Sequence, residues 1–477
     1  MSKGELGLSS KYDCVVLGGG VGGYVAAIRL GQLGKRVALV EKHRLGGECL
    51  NYGCIPTKTW INTVKTAYTA SHSANKGITG DVHVDLKQLK TWKDDVVKKL
   101  VSGIEGLCRS NRVEVVYGMG NIISEGRVEI IQGSNSRTIE AENIIVATGS
   151  KPTVLPGFEY DHINIVDNHD VLEFTEVPRS LCIIGGGAIG LEFAFLFSKL
   201  GSKVTVIELM DQLLPGIDKE VAALIYRSAV SHSIDVHLES RAKSWSRVND
   251  SIKVVFSEKN GEERSVECER VLVAVGRRPN TDGLGLERIG VQRDRAGYIQ
   301  VDGKLRTNVK GVYAVGDVTP GPMLAHKANR QGEVAAEVIA GLNSEFDNVA
   351  VPNAVFTDPE VATAGLSVEE ASKSGYEVSV GRFPYVALGR AVSVGETEGF
   401  VKVVADAKSG VILGVQIVGS EASDMISEAS LALEMGATLE DVGATIHPHP
   451  TFPEALLEAA KHAEGKAIHI VNRPRSK

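Results

Sequence analysis

The pattern G-x-G-x-x-G occurs twice in the chain, each time at the end of a short apolar run. Tyr12-Asp-Cys-Val-Val-Leu-Gly-Gly-Gly-Val-Gly-Gly23 is echoed by Leu181-Cys-Ile-Ile-Gly-Gly-Gly-Ala-Ile-Gly190. Runs of this kind, rich in β-branched residues, predict a buried parallel strand with a helix behind the glycines. Gly18 and Gly185 permit the tight turn, Gly20 and Gly187 let the backbone approach a diphosphate, and Gly23 and Gly190 let helix and strand pack closely. The diphosphate then meets a helix N-terminus, where free N–H groups and the dipole favour an anion. One such turn can be purely structural, but each copy here continues into a second strand closed by an acid. These strands are Lys35-Arg-Val-Ala-Leu-Val-Glu41 and Ser202-Lys-Val-Thr-Val-Ile-Glu208, and both acids can accept a hydrogen bond from a ribose hydroxyl. Two dinucleotide-binding α/β units are therefore expected. Cys14 and Cys182, at matching places on the two strands, read as small core residues.

Several cores must coexist in 477 residues, since one hydrophobic core rarely serves so long a chain. Composition is that of an ordinary globular protein, 43% hydrophobic and 23% charged. A net charge of −7 without a dense Lys/Arg run predicts no nucleic-acid partner. The longest apolar stretch, Leu181 to Phe197, is interrupted by Gly185, Gly186, Gly187, Gly190 and Glu192, so no membrane span is expected. Six cysteines lack zinc-ligand spacing, which argues for a reducing compartment and no metal site. The segment before Tyr12 has no apolar core, so a cytoplasmic protein is expected, with an organellar matrix the alternative if an import sequence has been removed.

Soon after Glu41 comes Gly46-Gly-Glu-Cys-Leu-Asn-Tyr-Gly-Cys-Ile-Pro-Thr-Lys58. Cys49 and Cys54 read either as a redox-active pair or as two reduced core cysteines. In an unbroken helix their Cα atoms would stand about 8.6 Å apart, beyond the roughly 7 Å that a disulfide spans. Bridging therefore requires a distorted segment, for which Gly53 supplies the freedom. Pro56 suits the first turn of a following helix, whose N-terminus would lower a thiol pKa. A redox pair at this place needs a permanently held partner ring, which assigns FAD to the first unit and NAD to the second. Because Leu209, Met210 and Asp211 follow Glu208 with no arginine, a 2′-phosphate would find no partner, and NAD is expected over NADP.

These residues resemble the pyridine nucleotide-disulfide oxidoreductases of the glutathione reductase and lipoamide dehydrogenase group, over almost the whole chain. Further segments in the same order carry the likeness: Val146-Ala-Thr-Gly-Ser150, Ala274-Val-Gly-Arg-Arg-Pro-Asn280, Tyr313-Ala-Val-Gly-Asp317, Met323-Leu-Ala-His-Lys327 and Asp358-Pro-Glu-Val-Ala362. The resemblance implies a redox disulfide between Cys49 and Cys54, and it places Thr148, Gly149, Asp317 and Gly276 at the cofactors, Asp317 on the ribityl chain of the flavin. It also implies an ion pair of Lys58 with Glu192 beside the flavin ring. By themselves, Lys58 reads as solvated and Glu192 as a helix-surface acid. Ile446-His-Pro-His-Pro-Thr-Phe-Pro-Glu454 is similar to the family's catalytic segment, with His449 as base and Glu454 as its partner; His447 has no assignment. Without the likeness, the His pair between prolines reads as a structured turn or weak metal site. In the family this segment reaches the other subunit, so a homodimer is implied.

The lipoamide dehydrogenase branch fits best, implying NAD-linked oxidation of dihydrolipoamide, free or on a lipoyl-carrying protein of a 2-oxoacid dehydrogenase or glycine-cleavage system. A glutathione reductase-like activity is disfavoured by Glu208. A mercuric reductase is disfavoured because the last cysteine is Cys268. Two departures stand out: Glu48, where the family often has threonine near the flavin diphosphate, and Ala328-Asn-Arg-Gln-Gly332, where many relatives carry an acidic pair. Cys108 and Cys268 are read as isolated thiols.

The expected fold is α/β, with two Rossmann-like domains for FAD and NAD and a C-terminal α+β dimerisation domain. The expected boundaries are 1–150 for the FAD domain, with a helical stretch from Trp60 to Leu107 inserted, and 151–275 for the NAD domain. A central region, 276–350, would complete the FAD site, with Asn343 to Asn348 as a linker before the dimerisation domain at 351–477.

Overall fold

The computed structural model describes residues 11–472. The first apolar run is strand β1 (Lys11–Leu17), and its glycines lead into α1 (Val21–Gln32) and then β2 (Val37–Glu41). Helices α2 (Gly47–Asn51), α3 (Cys54–Ser71) and α4 (Leu86–Ser110) follow, before β3 (Glu114–Tyr117), β4 (Met119–Ser124), β5 (Arg127–Gln132) and the long β6 (Asn135–Val146). Strands β3, β2, β1 and β6 run parallel in that order, with β4 and β5 as an antiparallel extension on the first half of β6. Both faces of this sheet are covered. Cys14 and Val16 point to the layer holding α1, while Val15 and Leu17 point to the opposite one, the period of two that a strand imposes. The helical stretch from Trp60 to Leu107 is carried by α3 and α4. Gly77 and Gly80 take positive φ between them, and Asp85 caps α4 by accepting from the Lys87 and Gln88 N–H groups.

The second unit repeats the plan. After β7 (Ser150–Pro152), β8 (Ile165–Val166) and α5 (Asn168–Val171) come β9 (Ser180–Ile184), α6 (Ala188–Lys199), β10 (Lys203–Ile207), α7 (Lys219–Ser231) and β11 (Asp235–His237). A three-stranded antiparallel sheet, β12 (Arg241–Val248), β13 (Ser251–Ser257) and β14 (Glu263–Cys268), precedes β15 (Arg270–Val273). The parallel sheet has the order β11-β10-β9-β15-β8. The chain returns through β16 (Arg277–Pro279), paired antiparallel with β7, so the two connections to this unit run side by side. Strand β17 (Val312–Ala314) then joins the first sheet beside β6, and α8 (Ala325–Ile339) packs on α1. The contact is close: a Cβ on Gly332 would stand 2.5 Å from the Gly22 carbonyl oxygen.

Residues 343–348 join α8 to the last unit without helix or strand. That unit is a five-stranded sheet, β18 (Asn353–Val355), β19 (Val361–Gly365), β20 (Val378–Pro384), β21 (Phe400–Asp406) and β22 (Ile412–Val418), antiparallel in the order β18-β19-β22-β21-β20. Helices α9 (Val368–Lys373) and α10 (Gly389–Val394) lie in its connections. Helices α11 (Ala422–Glu434), α12 (Leu439–Ala444) and α13 (Glu454–Ala463) follow and share its core. The architecture is the expected one: two Rossmann-like α/β units and an α+β unit. No helix of the described residues is long and apolar enough to cross a membrane.

Two cysteine expectations are corrected. Cys14 and Cys182 do not occupy matching places, because Cys182 stands one residue nearer its first glycine, and a one-residue offset on a strand turns a side chain to the other face. Cys14 faces the α1 layer, whereas Cys182 faces the core under β13 and β14. Nor is Cys268 isolated: at the end of β14 it hydrogen-bonds the Cys182 thiol.

Candidate active site

Both glycine turns form the same cradle. A Cβ on Gly23 would meet the Gly18 carbonyl oxygen at 1.8 Å, and one on Gly190 would meet that of Gly185 at 2.0 Å, so only glycine lets helix and turn approach this closely. Glu41 Oε2 accepts from the Gly19 N–H at 2.8 Å, and Glu208 Oε2 from the Gly186 N–H at 2.5 Å. Each strand-ending acid therefore also locks its own turn. Gly20 and Gly187, the N-caps of α1 and α6, carry no side chain to satisfy the helix N–H groups. The space before Gly187 is open for 4 Å, and Gly20 meets only the Gly47 Cα at 3.7 Å. Two bare helix N-termini behind open glycines fit two dinucleotide diphosphates.

The cysteine segment lies against the first cradle, since the Gly46 N–H donates to the Gly19 carbonyl at 2.8 Å. It is broken, as bridging requires: α2 ends at Asn51 and α3 starts at Cys54, with Tyr52 and Gly53 between them outside helical geometry. Both cysteines are free thiols here, and they hydrogen-bond each other. Cys54 is drawn down to about 7, chiefly by that bond and also by the nearby Lys58 ammonium, against the effect of burial. Cys49 is pushed up by the same bond and by burial. Cys54 is therefore the sulfur that carries charge.

One turn along α3 from Cys54, Lys58 Nζ lies 2.8 and 2.7 Å from the two Glu192 carboxylate oxygens. Glu192 is a buried acid on α6, 5% exposed, and also accepts from the Phe356 N–H at 3.0 Å. Neither residue is a solvated surface charge. The pair ties the cysteine helix to the helix of the second cradle and to the strand region of the C-terminal unit.

Asp317, in the turn after β17, accepts from Ser150 Oγ at 2.6 Å, and Arg277 Nε donates to that same hydroxyl at 2.8 Å. At the neck formed by β7 and β16, Thr148 and Gly149 are held just before β7: Thr148 Oγ1 donates to the Asn280 carbonyl at 2.7 Å and the Asn280 N–H to the Gly149 carbonyl at 2.8 Å. Gly276 precedes β16 at the same neck with a φ of 112°. Sequence reasoning gave Gln331 no role. Its buried Oε1 accepts from the Gly316 N–H at 2.8 Å and so sets the turn carrying Asp317.

His449 Nδ1 pairs with Glu454 Oε1 at 2.9 Å, and the Thr451 N–H donates to the other Glu454 oxygen at 2.8 Å. Those bonds hold the Glu454 carboxyl below the usual range despite partial burial. The His449 side chain is 76% exposed, and no hydrogen bond or ion pair joins it to Cys49 or Cys54. His447 has its own partner, Glu428 Oε1 at 2.9 Å, so the two histidines are separate pairs. No cluster of His, Cys, Asp and Glu among the described residues could hold a metal ion.

A family profile described as pyridine nucleotide-disulphide oxidoreductase matches residues 12–332, and that of the family's dimerisation domain matches residues 351–460. The chain belongs to the pyridine nucleotide-disulphide oxidoreductases. Its relatives include the dihydrolipoyl dehydrogenase of Halobacterium salinarum, 48% identical over 98% of this chain and 99% of that protein. That of Geobacillus stearothermophilus is 44% identical over 97% and 98%. The crystal structure of LpdA from Mycobacterium tuberculosis superposes with a TM-score of 0.88 at 27% identity, covering 95% of this chain and 99% of that one. The oxidoreductase family uses FAD and NAD.

Proposed function

We propose that the protein is a dihydrolipoyl dehydrogenase, oxidising the dithiol of dihydrolipoamide to lipoamide and reducing NAD to NADH. The observation that carries this reading is the Cys49–Cys54 contact against the first cradle, one turn from the Lys58–Glu192 pair. FAD, when bound there, accepts an electron pair from the dithiol and delivers a hydride to NAD. The substrate loses two electrons and two protons; NAD takes both electrons and one proton, and the other proton goes to solvent.

His449 acts as the base. Glu454 holds its Nδ1, which leaves Nε2 to take the proton of a substrate thiol. The resulting thiolate attacks Cys49 of the oxidised pair, forming a mixed disulfide and releasing Cys54 as a thiolate. Its lowered pKa makes Cys54 a good leaving group. The second substrate thiol attacks the substrate sulfur of the mixed disulfide, closing lipoamide and freeing Cys49. Lys58 and Glu192 form a neutral ion pair at the junction of the two nucleotide-binding units, where the coenzymes would meet. Asp317 and the glycines Gly18, Gly20 and Gly23 hold FAD; Gly185, Gly187, Gly190 and Glu208 hold NAD.

The exposure of His449 points to a site completed across a homodimer, with the unit at 351–460 as its interface. The physiological substrate is a lipoyl group on a carrier protein of a 2-oxoacid dehydrogenase or glycine-cleavage system, in the cytoplasm. Anaerobic spectral titration of the holoprotein tests the proposal. Dihydrolipoamide and NADH should bleach the flavin, whereas reduced glutathione and NADPH should not. Cys49→Ser should retain FAD and its response to NADH but lose that to dihydrolipoamide. Dithiol turnover at the wild-type rate in this variant would refute the role of the pair.

A further inference from the structure

How far apart the two sulfurs stand is set by Tyr52 and Gly53, the only residues between α2 and α3. Two side chains of the second nucleotide-binding unit hold this turn from outside. Asn168 Nδ2 donates to the Tyr52 carbonyl at 2.7 Å. The His169 ring stacks on the Tyr52 ring, with centroids 4.4 Å apart and planes inclined by 19°. Both residues open α5, whose start is fixed by a capping box between Asp167 and Asp170.

The same two side chains reach back to the start of the turn. His169 Nε2 lies 2.9 and 3.0 Å from the two Glu48 carboxylate oxygens, and Asn168 Nδ2 lies 3.2 Å from one of them. Arg277 Nη1 completes the set at 3.0 Å from Glu48 Oε1, while its other nitrogens bind the Ser150 hydroxyl and carbonyl. A carboxylate beside a diphosphate cradle would oppose the cofactor if it were unpaired. Here a guanidinium and an imidazole turn it toward the second unit and compensate its charge. Against the effect of burial, these partners keep the Glu48 carboxyl below its usual range, and Glu48 raises His169.

We propose that Glu48, Asn168 and His169 are positioning residues of the redox pair, clipping the turn from Glu48 to Tyr52 so that Cys49 and Cys54 stay within bonding range. The inference rests on reading those cysteines as the redox pair. Its physical content is an effective concentration: a disulfide resists reduction in proportion to how often its two thiols meet. Cutting the clip loosens Tyr52 and Gly53 and weakens ring closure.

The test equilibrates wild-type, Glu48→Ala and His169→Ala holoproteins with graded ratios of reduced and oxidised dithiothreitol. The protein disulfide takes two electrons and two protons from the reagent dithiol, which closes to its cyclic disulfide. Free thiols are then alkylated and counted by mass spectrometry. Both variants should show a ring-closure constant about tenfold lower, equivalent to a reduction potential about 30 mV higher. Should Glu48→Ala fail to fold, His169→Ala carries the test, because it leaves the Glu48–Arg277 pair in place. A side chain that served packing alone would lower the melting temperature and leave the potential at its wild-type value, which overturns the proposal. If wild-type protein closes no Cys49–Cys54 disulfide at any ratio, the reading of the pair itself falls, and this inference with it.

Discussion

Cys54 occupies the first position of α3, where unpaired helix N–H groups favour a negative sulfur. The Cys49 hydrogen bond and then the Lys58 charge lower its pKa from the ordinary thiol range to about 7, while burial and Glu192 oppose them. Because the folded value lies below the ordinary one, the thiolate is present above about pH 7 and is lost as pH falls through it. In reduced holoprotein, the rate of Cys54 alkylation by iodoacetamide should therefore show a midpoint near 7. Cys49→Ala should move that midpoint up the most, Lys58→Met should also raise it, and Glu192→Gln should lower it. A midpoint unmoved by Cys49→Ala would remove the proposed cause. His449 makes a second residue-scale test. Its loss in His449→Ala should cost about 10² to 10⁴-fold in dihydrolipoamide turnover, while reduction of the flavin by NADH proceeds as before.

At the scale of elements, each cradle depends on a helix backbone lying almost on the carbonyl of its preceding turn. An added Cβ at Gly23 or Gly190 cannot be absorbed by a rotamer change, since the obstacle is main chain. Overpacking of this kind costs typically about 1–3 kcal/mol, and here it displaces the helix N-terminus proposed to meet the diphosphate. Gly23→Ala should yield protein depleted of flavin, read from visible absorbance after gel filtration. Gly190→Ala should keep its flavin and raise the KM for NAD without changing reduction by dihydrolipoamide. Interchanged phenotypes would show that the two cradles have been assigned the wrong way round.

The molecule as a whole leaves its proposed base unmatched. His449 faces outward, and beside it Ile446 is 94% exposed, with Leu431 and Met435 of the α11 end also uncovered. Exposed apolar residues in the unit that carries the proposed base are what one half of an intersubunit site presents. Co-expressing Cys49→Ser with His449→Ala tests the arrangement, since each homodimer is inactive while a mixed dimer retains one complete site. With random pairing, about a quarter of wild-type dithiol turnover should return, half the dimers being mixed and each holding one of two sites. If no activity is regained in purified mixed dimers, the base acts within its own chain or not at all.

The features legible from residue order were those whose chemistry is local. The glycine turns, the acids that close β2 and β10, and the interrupted Cys49–Cys54 segment are all specified within a few residues, because turn geometry and strand period act over that range. The family likeness added Asp317 and the pairs Lys58–Glu192 and His449–Glu454, which residue order alone reads as a solvated lysine, a helix-surface acid and a structured turn. Contacts between distant segments were settled only when the layers packed. Lys58 meets Glu192 across 134 positions of the chain, and Glu48 meets His169 across 121. Cys182 finds Cys268 because strand alternation turns it away from the α6 layer of its own unit, whereas Cys14 faces the α1 layer of the first. Residue order determined which chemistry the protein carries, since backbone propensity and short spacing suffice for a cradle and a cysteine turn. Tertiary structure decided which charges neutralise one another and what holds the sulfurs in place, because side chains from different units meet only through the packing of whole sheets and helices.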